Sequence, residues 1–541
     1  MTLIDTIVTT TDGLVGGRRG RRTRRGTISW KGIPFAAPPV GRGRFREAQP
    51  VAAWPGVRDC TSFGNAAVQE RRFTATGPGR YAPTSEDCLT LNVFSPSSQS
   101  STPRPVMVFI HGGAYILGTA ATPLYDGSAL ARAADVIVVT VQYRFGAFGL
   151  LDFSAYSTPE RTFDENPGLS DMLAALRWVQ RNIAAFGGDP DAVTVFGESA
   201  GGSAVLTLLA TPDAEGLFAR AIAESPAPEL VVGKPSAEVF ADEFLRLLRE
   251  PERRSSDIAD RGEPIAPEHA RELLDGASTE EIFRASNRLM RFASRAQTPE
   301  PVPFAPVAGS RLLPHLPVDA AQAGKTHPVP LIVGGNRDEG KLFEKLWNML
   351  PDAERMLLRV EDEGAREQIS ALYTGPGERL RLSADATFWA PALAFADGHS
   401  RVAPTYAYRY DFYTKVLGKL GVGATHATEL FAVFGAYRSA LGAPLSVGDW
   451  GATARVTADV QSRWGAFAHT GVPGDDWPRY SVDDRETLVI DRSDRIEADP
   501  DGERRLAWHR GVGLIAEPVG SATDGVGDPT PGSEFDAARG I

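Results

Sequence analysis

Short, unbroken apolar runs alternate with amphipathic segments along most of this chain. "PVMVFI" (Pro105 to Ile110), "VIVVTV" (Val136 to Val141) and "VTVF" (Val193 to Phe196) show no polar face. Runs of that length and β-branched content suit strands covered by helices on both sides, as in a parallel sheet. Between the second and third, Leu173, Leu176, Val179, Ile183 and Phe186 recur at helical spacing. That spacing predicts a helix with Ser170 as its N-cap and Gly187 and Gly188 as its stop. "ARAIAES" (Ala219 to Ser225), "VPLIVGG" (Val329 to Gly335) and the alternating "TYAYRYDF" (Thr405 to Phe412) read as further strands. Together they predict an α/β fold around a large mixed, mostly parallel sheet flanked by helices.

Some stretches depart from this rhythm. Glu250 to Pro267 is charged and proline-punctuated, which predicts an exposed loop. It precedes helical segments near Glu268 to Ser294 that are expected to form a lid over the sheet. Past Glu517 the chain is rich in Gly, Pro and Asp and poor in large apolar groups, so a disordered tail is expected over 517–541. "GGRRGRRTRRG" (Gly16 to Gly26) crowds Arg18, Arg19, Arg21, Arg22, Arg24 and Arg25 together. Because turn glycines interrupt the run and apolar segments flank it, a solvated hairpin loop is favoured over a phosphate-binding arm.

Composition narrows the function classes. The chain has 541 residues, 42% hydrophobic and 23% charged, enough for a large core in one domain or more. A formal net charge of −11 argues against a general binder of nucleic acid or anionic membranes. Cys60 and Cys88 are too few for a disulfide framework and lack zinc-ligand spacing, although a single bridge between them stays open. The N-terminus has no basic segment leading into a long apolar core, and no run approaches the roughly 18 apolar residues of a membrane span. A soluble cytoplasmic protein is the expectation.

Candidate chemistry centres on "VTVFGESAGGSAVLTLLA", residues 193 to 210. The letters G-x-S-x-G alone are common. Here Gly197-Glu198-Ser199-Ala200-Gly201 directly follows a buried-type strand and opens a helix, the setting that holds a nucleophile on a sharp turn above a sheet. "FIHGGAYILG" (Phe109 to Gly118) sets His111, Gly112 and Gly113 at the end of another strand, where ligands of α/β sheets bind. With the Ala200 amide, those of Gly112 and Gly113 would form an oxyanion hole. The general base must be a histidine, and the chain order nucleophile, acid, histidine of α/β-hydrolases leaves His399, His426, His469 and His509 as candidates if the acid lies near residue 338. His426 stands out because its small-residue loop, "GVGATHATELFAVFG", allows reach across the sheet edge. For the acid, "VPLIVGGNRDEG" offers Asp338 and Glu339 at the end of a strand, and the residues themselves do not choose between them.

These segments resemble the carboxylesterase type B family of α/β-hydrolases over nearly the whole chain. The likeness runs from "KGIPFAAPPVGRGRFREAQP" through "EDCLTLNVFSP", "HGGAYILG", "NPGLSDMLAALRWVQRNIAAFGGDP" and "VFGESAGG" to "GGNRDEG" and "HATELFAVFG". It implies a triad of Ser199, Glu339 and His426 and an oxyanion hole of the Gly112, Gly113 and Ala200 amides. Glu198 would line the site with a secondary, electrostatic role. It also implies one catalytic domain over 1–516 with a lid or helical insertion near 230–325. The expected activity is hydrolysis of small to medium esters through an acyl-enzyme, without metal or organic cofactor and without nucleic-acid or membrane partners. Amide or carbamate hydrolysis by the same machinery is the alternative within hydrolases, and a non-catalytic binding protein on the same scaffold is the rival outside them.

Departures from the family pattern matter too. Ala67 stands near the place of the usual loop cysteine, so the usual bridge to Cys88 is absent. The loop between Cys60 and Cys88 has no tryptophan to stack a quaternary ammonium, which argues against choline esters. Gln142 and Met172 replace a common asparagine and a common glutamine. "TFWAP" (Thr387 to Pro391) offers rings for the acyl side of a pocket, with core packing the favoured use.

Overall fold

The structure is a computed structural model that describes residues 5–250, 264–294, 302–346, 350, 352–358, 360 and 362–512. Most of the charged loop expected over Glu250 to Pro267, and all of the tail over 517–541, lie outside those residues. An eleven-stranded sheet forms the centre. Its strands are β1 (Arg18–Arg19), β2 (Thr27–Pro34), β3 (Thr90–Pro96), β4 (Arg104–Ile110), β5 (Ile137–Val141), β6 (Gly188–Glu198), β7 (Arg220–Glu224), β8 (Leu331–Asn336), β9 (Thr405–Tyr410), β10 (Glu486–Ile490) and β11 (Arg495–Ala498). Their order is β11-β10-β9-β8-β7-β6-β4-β5-β3-β2-β1. Every neighbouring pair from β5 to β10 is parallel, and antiparallel strands close both edges.

The period-2 geometry of a strand explains why both faces read as apolar. Val106, Val108 and Ile110 of β4 enter one core, with Ile137, Val139, Val193 and Val195. Met107 and Phe109 enter the other, with Val138 and Phe196. Helices α1 (Pro167–Asn182) and α2 (Ala200–Leu209) cover the first face; α3 (Trp450–Thr470) covers the second through Val456, Val460, Trp464 and Phe467. At roughly 25 cal/mol per Å² of apolar surface, this two-sided burial is the main force holding the central strands.

The start of α1 differs from the expectation. Pro167 opens the helix, where its missing N–H costs nothing, and Ser170 lies one turn inside. Ser170 Oγ donates to Pro167 O at 3.0 Å and accepts from Ala48 N at 2.7 Å, so it ties an N-terminal loop to the helix rather than capping it. At the other end a 3-10 turn over Ile183–Phe186 closes on Gly187, at φ 87°, and Gly188 already belongs to β6.

The helices Lys234–Arg249, Pro267–Gly276 and Thr279–Ala293 pack into the first core through Phe240, Phe244, Leu274, Ile282 and Leu289. In the arginine-rich run, Arg18 and Arg19 pair with Ser29 and Ile28 as an edge hairpin, and Arg22–Arg24 form an exposed 3-10 turn. Cys60 and Cys88 are buried free thiols, so the bridge left open by the sequence is not formed.

A fully buried ion pair ties α1 to the loop after β5. Asp171 Oδ1 and Oδ2 accept from Arg144 Nη2 at 2.7 Å and Nε at 2.8 Å, with the side chains 0% and 3% exposed. Asp171→Ala strands the guanidinium in the interior and is expected to cost about 3–5 kcal/mol. A shift of the urea midpoint to lower concentration measures it; an unchanged midpoint contradicts it.

Candidate active site

Strand β6 ends at Glu198, and Ser199 turns the chain into α2 with φ 59° and ψ −124°. A non-glycine residue there is strained by roughly 1–3 kcal/mol, so the surroundings must hold it. Ser199 N donates to Glu224 O at 2.9 Å, and Ser203 N and Oγ both donate to Ser199 O. Gly201 makes the tight fit possible: a Cβ on it would lie 2.0 Å from Ile110 O. The hydroxyl of Ser199 makes no hydrogen bond among the described residues.

The loop after β4 lies directly against this turn. A Cβ on Gly112 would meet Ser199 Cβ at 2.9 Å and Glu198 O at 2.6 Å, so no larger residue fits. Behind it, His111 is buried and donates from Nδ1 to Gly112 O at 2.8 Å, while Tyr143 Oη donates to His111 O. Burial pushes the His111 imidazole down to about 4, so it serves as a neutral brace. Gln69 pins the far end, accepting from Gly118 N and donating to Gly118 O. Gln142 accepts from Ala120 N within the same framework. The amides of Gly112 and Gly113 donate to no backbone carbonyl among the described residues, and the Ala200 amide is the first of α2.

Two further loops bring a histidine and carboxylates to the same place. His426 Nδ1 donates to Glu339 Oε2 at 2.5 Å, and Glu339 Oε1 accepts from Asn336 N at 2.6 Å. Asp338 N donates to Ala424 O and Thr425 Oγ1 accepts from Leu342 N, so the two loops are laced together. Asp338 turns aside to Lys341, at 2.8 Å. Nε2 of His426 lies 3.1 Å from Glu198 Oε1 without hydrogen-bond alignment, and no bond to Ser199 Oγ forms. The other candidate bases are engaged elsewhere. His399 donates to Val329 O and accepts from Thr326, His469 donates to Ala134 O, and His509 sits beside Arg505.

Reading the residues alone missed several groups in this cluster. Buried Glu429 accepts from Ser225 Oγ at 2.9 Å and from Asn336 Nδ2, and Glu224 accepts from Trp464 Nε1. The one available signal was a carboxylate inside an otherwise apolar run, "TELFAVFG". Phe388 serves the expected core packing, in a small buried cluster with Ala227 and Ala384, and its ring also packs 4.8 Å from that of His426, with Phe343 at 4.9 Å. A π-helical turn over Asp385–Trp389 re-aims it there, a distortion that frequently marks functional sites.

Crowded carboxylates set the proton chemistry. Burial alone would push His426 down, but the charges of Glu198 and Glu339 outweigh it and hold the imidazole up at about 9. Burial, opposed by the His426 charge and reinforced by repulsion from Glu429 and Glu339, holds Glu198 above the usual carboxylate range, so the two groups share their proton chemistry. If His426 is the base, kcat/KM should climb as pH rises toward about 9, because only neutral imidazole accepts a proton. Glu198→Gln removes the leading charge that holds this proton, so the ascending limb should move to lower pH. An unmoved limb in the pH–rate profile would show that Glu198 does not set it.

A mostly parallel sheet with a serine on the sharp strand-to-helix turn at its centre defines an α/β-hydrolase. The carboxylesterase family model matches residues 4–508, and the chain belongs to that family. It is a carboxylic ester hydrolase. It is 38% identical over 515 residues to the para-nitrobenzyl esterase of Bacillus subtilis strain 168, covering 92% of this chain and 97% of that one. It is 34% identical over 468 residues to the fumonisin B1 esterase of Sphingopyxis macrogoltabida, covering 83% and 81%. Among solved structures, a thermophilic PNB esterase superimposes with a TM-score of 0.81 at 36% identity, covering 93% of this chain and 99% of that one. A Geobacillus stearothermophilus carboxylesterase does so with 0.76 at 33%, covering 93% and 100%. No helix among the described residues is long and apolar enough to cross a membrane.

Proposed function

We propose that the chain hydrolyses small to medium carboxylic esters by acyl transfer through Ser199, with His426 as general base and then general acid and Glu339 as its orienting carboxylate. Ser199 Oγ attacks the ester carbonyl as His426 Nε2 takes its proton, and Glu339 holds the tautomer and stabilises the imidazolium. The amides of Gly112, Gly113 and Ala200 receive the oxyanion. The protonated alcohol leaves, and water, activated by the same imidazole, hydrolyses the acyl-enzyme. Glu198 favours the cationic imidazole electrostatically. Residues 1–516 act as one catalytic unit, with the helical region near 230–325 as its insertion.

One observation carries this reading: His426 is tied through Nδ1 to a buried carboxylate and leaves Nε2 without a hydrogen-bond partner, beside the turn that presents Ser199. The test is rapid mixing with a chromogenic short-chain ester. A burst of leaving alcohol close to one per enzyme, followed by slower steady turnover, is expected when deacylation limits the rate. Failure to trap an acyl group on Ser199 by mass spectrometry after acid quench would refute the covalent route.

A further inference from the structure

Several large apolar side chains lie exposed in the chain segment that follows the C-terminal end of β9. Tyr413, Leu420, Leu441, Val447 and Trp450 are 44, 57, 49, 58 and 50% exposed. Contacts hold the segments bearing them together. Lys415 N donates to Asp449 Oδ2 at 2.5 Å and Lys415 Nζ to Gly448 O at 3.1 Å, so the helix Lys415–Lys419 is fastened to the start of α3. Arg492 bonds both Asp449 and Tyr413 O, which fixes the strap from a third side.

Charge on this face runs against that of the whole chain. From Phe412 to Gly448 the sequence carries Lys415, Lys419 and Arg438 but a single carboxylate, Glu429, which is 1% exposed. Asp449, at the border, is 6% exposed and neutralised by Arg492 and Lys415. On a protein of net charge −11, this is a Trp- and Tyr-bearing segment whose own exposed charges are cations, with Asp449 and Asp491 beside Arg492 and Asp338 paired with Lys341 at its border. Such a surface matches an anionic lipid–water interface, where aromatic rings sit at headgroup level and lysines meet phosphate. The total charge, which argues against general membrane binding, does not describe this face.

We propose that this face docks the enzyme peripherally on anionic lipid surfaces. The same strap continues within a few residues into the His426 loop, so docking would bring the site close to esters dissolved in the interface. That benefit rests on the esterase reading; the docking itself does not.

Co-sedimentation of the full chain with vesicles tests it. Wild type and Ser199→Ala should both bind phosphatidylglycerol-containing vesicles and leave pure phosphatidylcholine vesicles largely unbound. Lys415→Gln with Lys419→Gln should lower the partition coefficient roughly 30-fold, at about 1 kcal/mol per cation. Val447→Ser with Trp450→Ser should abolish binding, and both pairs should turn over a soluble ester as wild type does. Absence of wild-type binding overturns the proposal. So does binding that survives both pairs and disappears only when the arginines of 18–25 are replaced. A wild-type dimer that the Val447 and Trp450 pair converts to monomer would show the face to be a contact between copies instead.

Discussion

Ser199→Ala is expected to lower kcat/KM for a soluble ester by roughly 10⁴- to 10⁶-fold while leaving folding intact. No neighbouring hydroxyl can substitute. Ser203 Oγ donates to Ser199 O and accepts from Ala227 N, and Ser225 Oγ donates to Glu429. Stability should hardly change, because Ser199 Oγ makes no hydrogen bond among the described residues and alanine keeps the same Cβ at the same strained φ. Substrate affinity should survive as well, since the amides around Gly112 are untouched. Comparable turnover by the two proteins would remove Ser199 from the mechanism. A matching fall in thermal stability would reassign the loss to folding.

How much of this was legible in the chain depended on whether each feature was local. The central strands were, because two-sided burial leaves a run of β-branched residues that no surface strand would tolerate. The strand-to-helix turn at Ser199 was legible because glycines mark where a helix end packs onto a strand. The beginning of α1 was misread: serine is a good cap in general, but a proline three residues earlier already opened the helix, and Ser170 was needed to hold Ala48.

What the residues alone left open was set by contacts distant in sequence. Asp338 and Glu339 are adjacent and chemically alike, and only the lacing of their loop to Ala424 and Thr425 points one at His426 and the other at Lys341. The resemblance to a family selected Glu339 where local reasoning did not. Phe388 reads as core from its helical stretch and does pack in a buried cluster; its added contact with the imidazole, made from a π-helical turn, leaves no local pattern. Glu224 and Glu429 are spread over two elements, so their convergence on one proton-rich cluster exists only in three dimensions.

Glu339→Gln should cost about 10⁴-fold in kcat, far more than its near-identical shape suggests, because hydrogen bonds on both sides dictate which way the amide faces. Asn336 N donates to Oε1 at 2.6 Å and needs an acceptor there, so the glutamine carbonyl must occupy that position. Its NH₂ then faces His426 Nδ1, 2.5 Å away in the wild type, and two donors cannot share that gap. Nδ1 must become an acceptor, the ring proton moves to Nε2, and the nitrogen that should accept the serine proton already carries one. Loss of the negative charge also removes one of the interactions holding the imidazole above its ordinary range. The ascending limb of the residual activity should therefore shift to lower pH even as its height collapses. Activity within tenfold of wild type, with an unchanged pH profile, would show that Glu339 does not fix the tautomer.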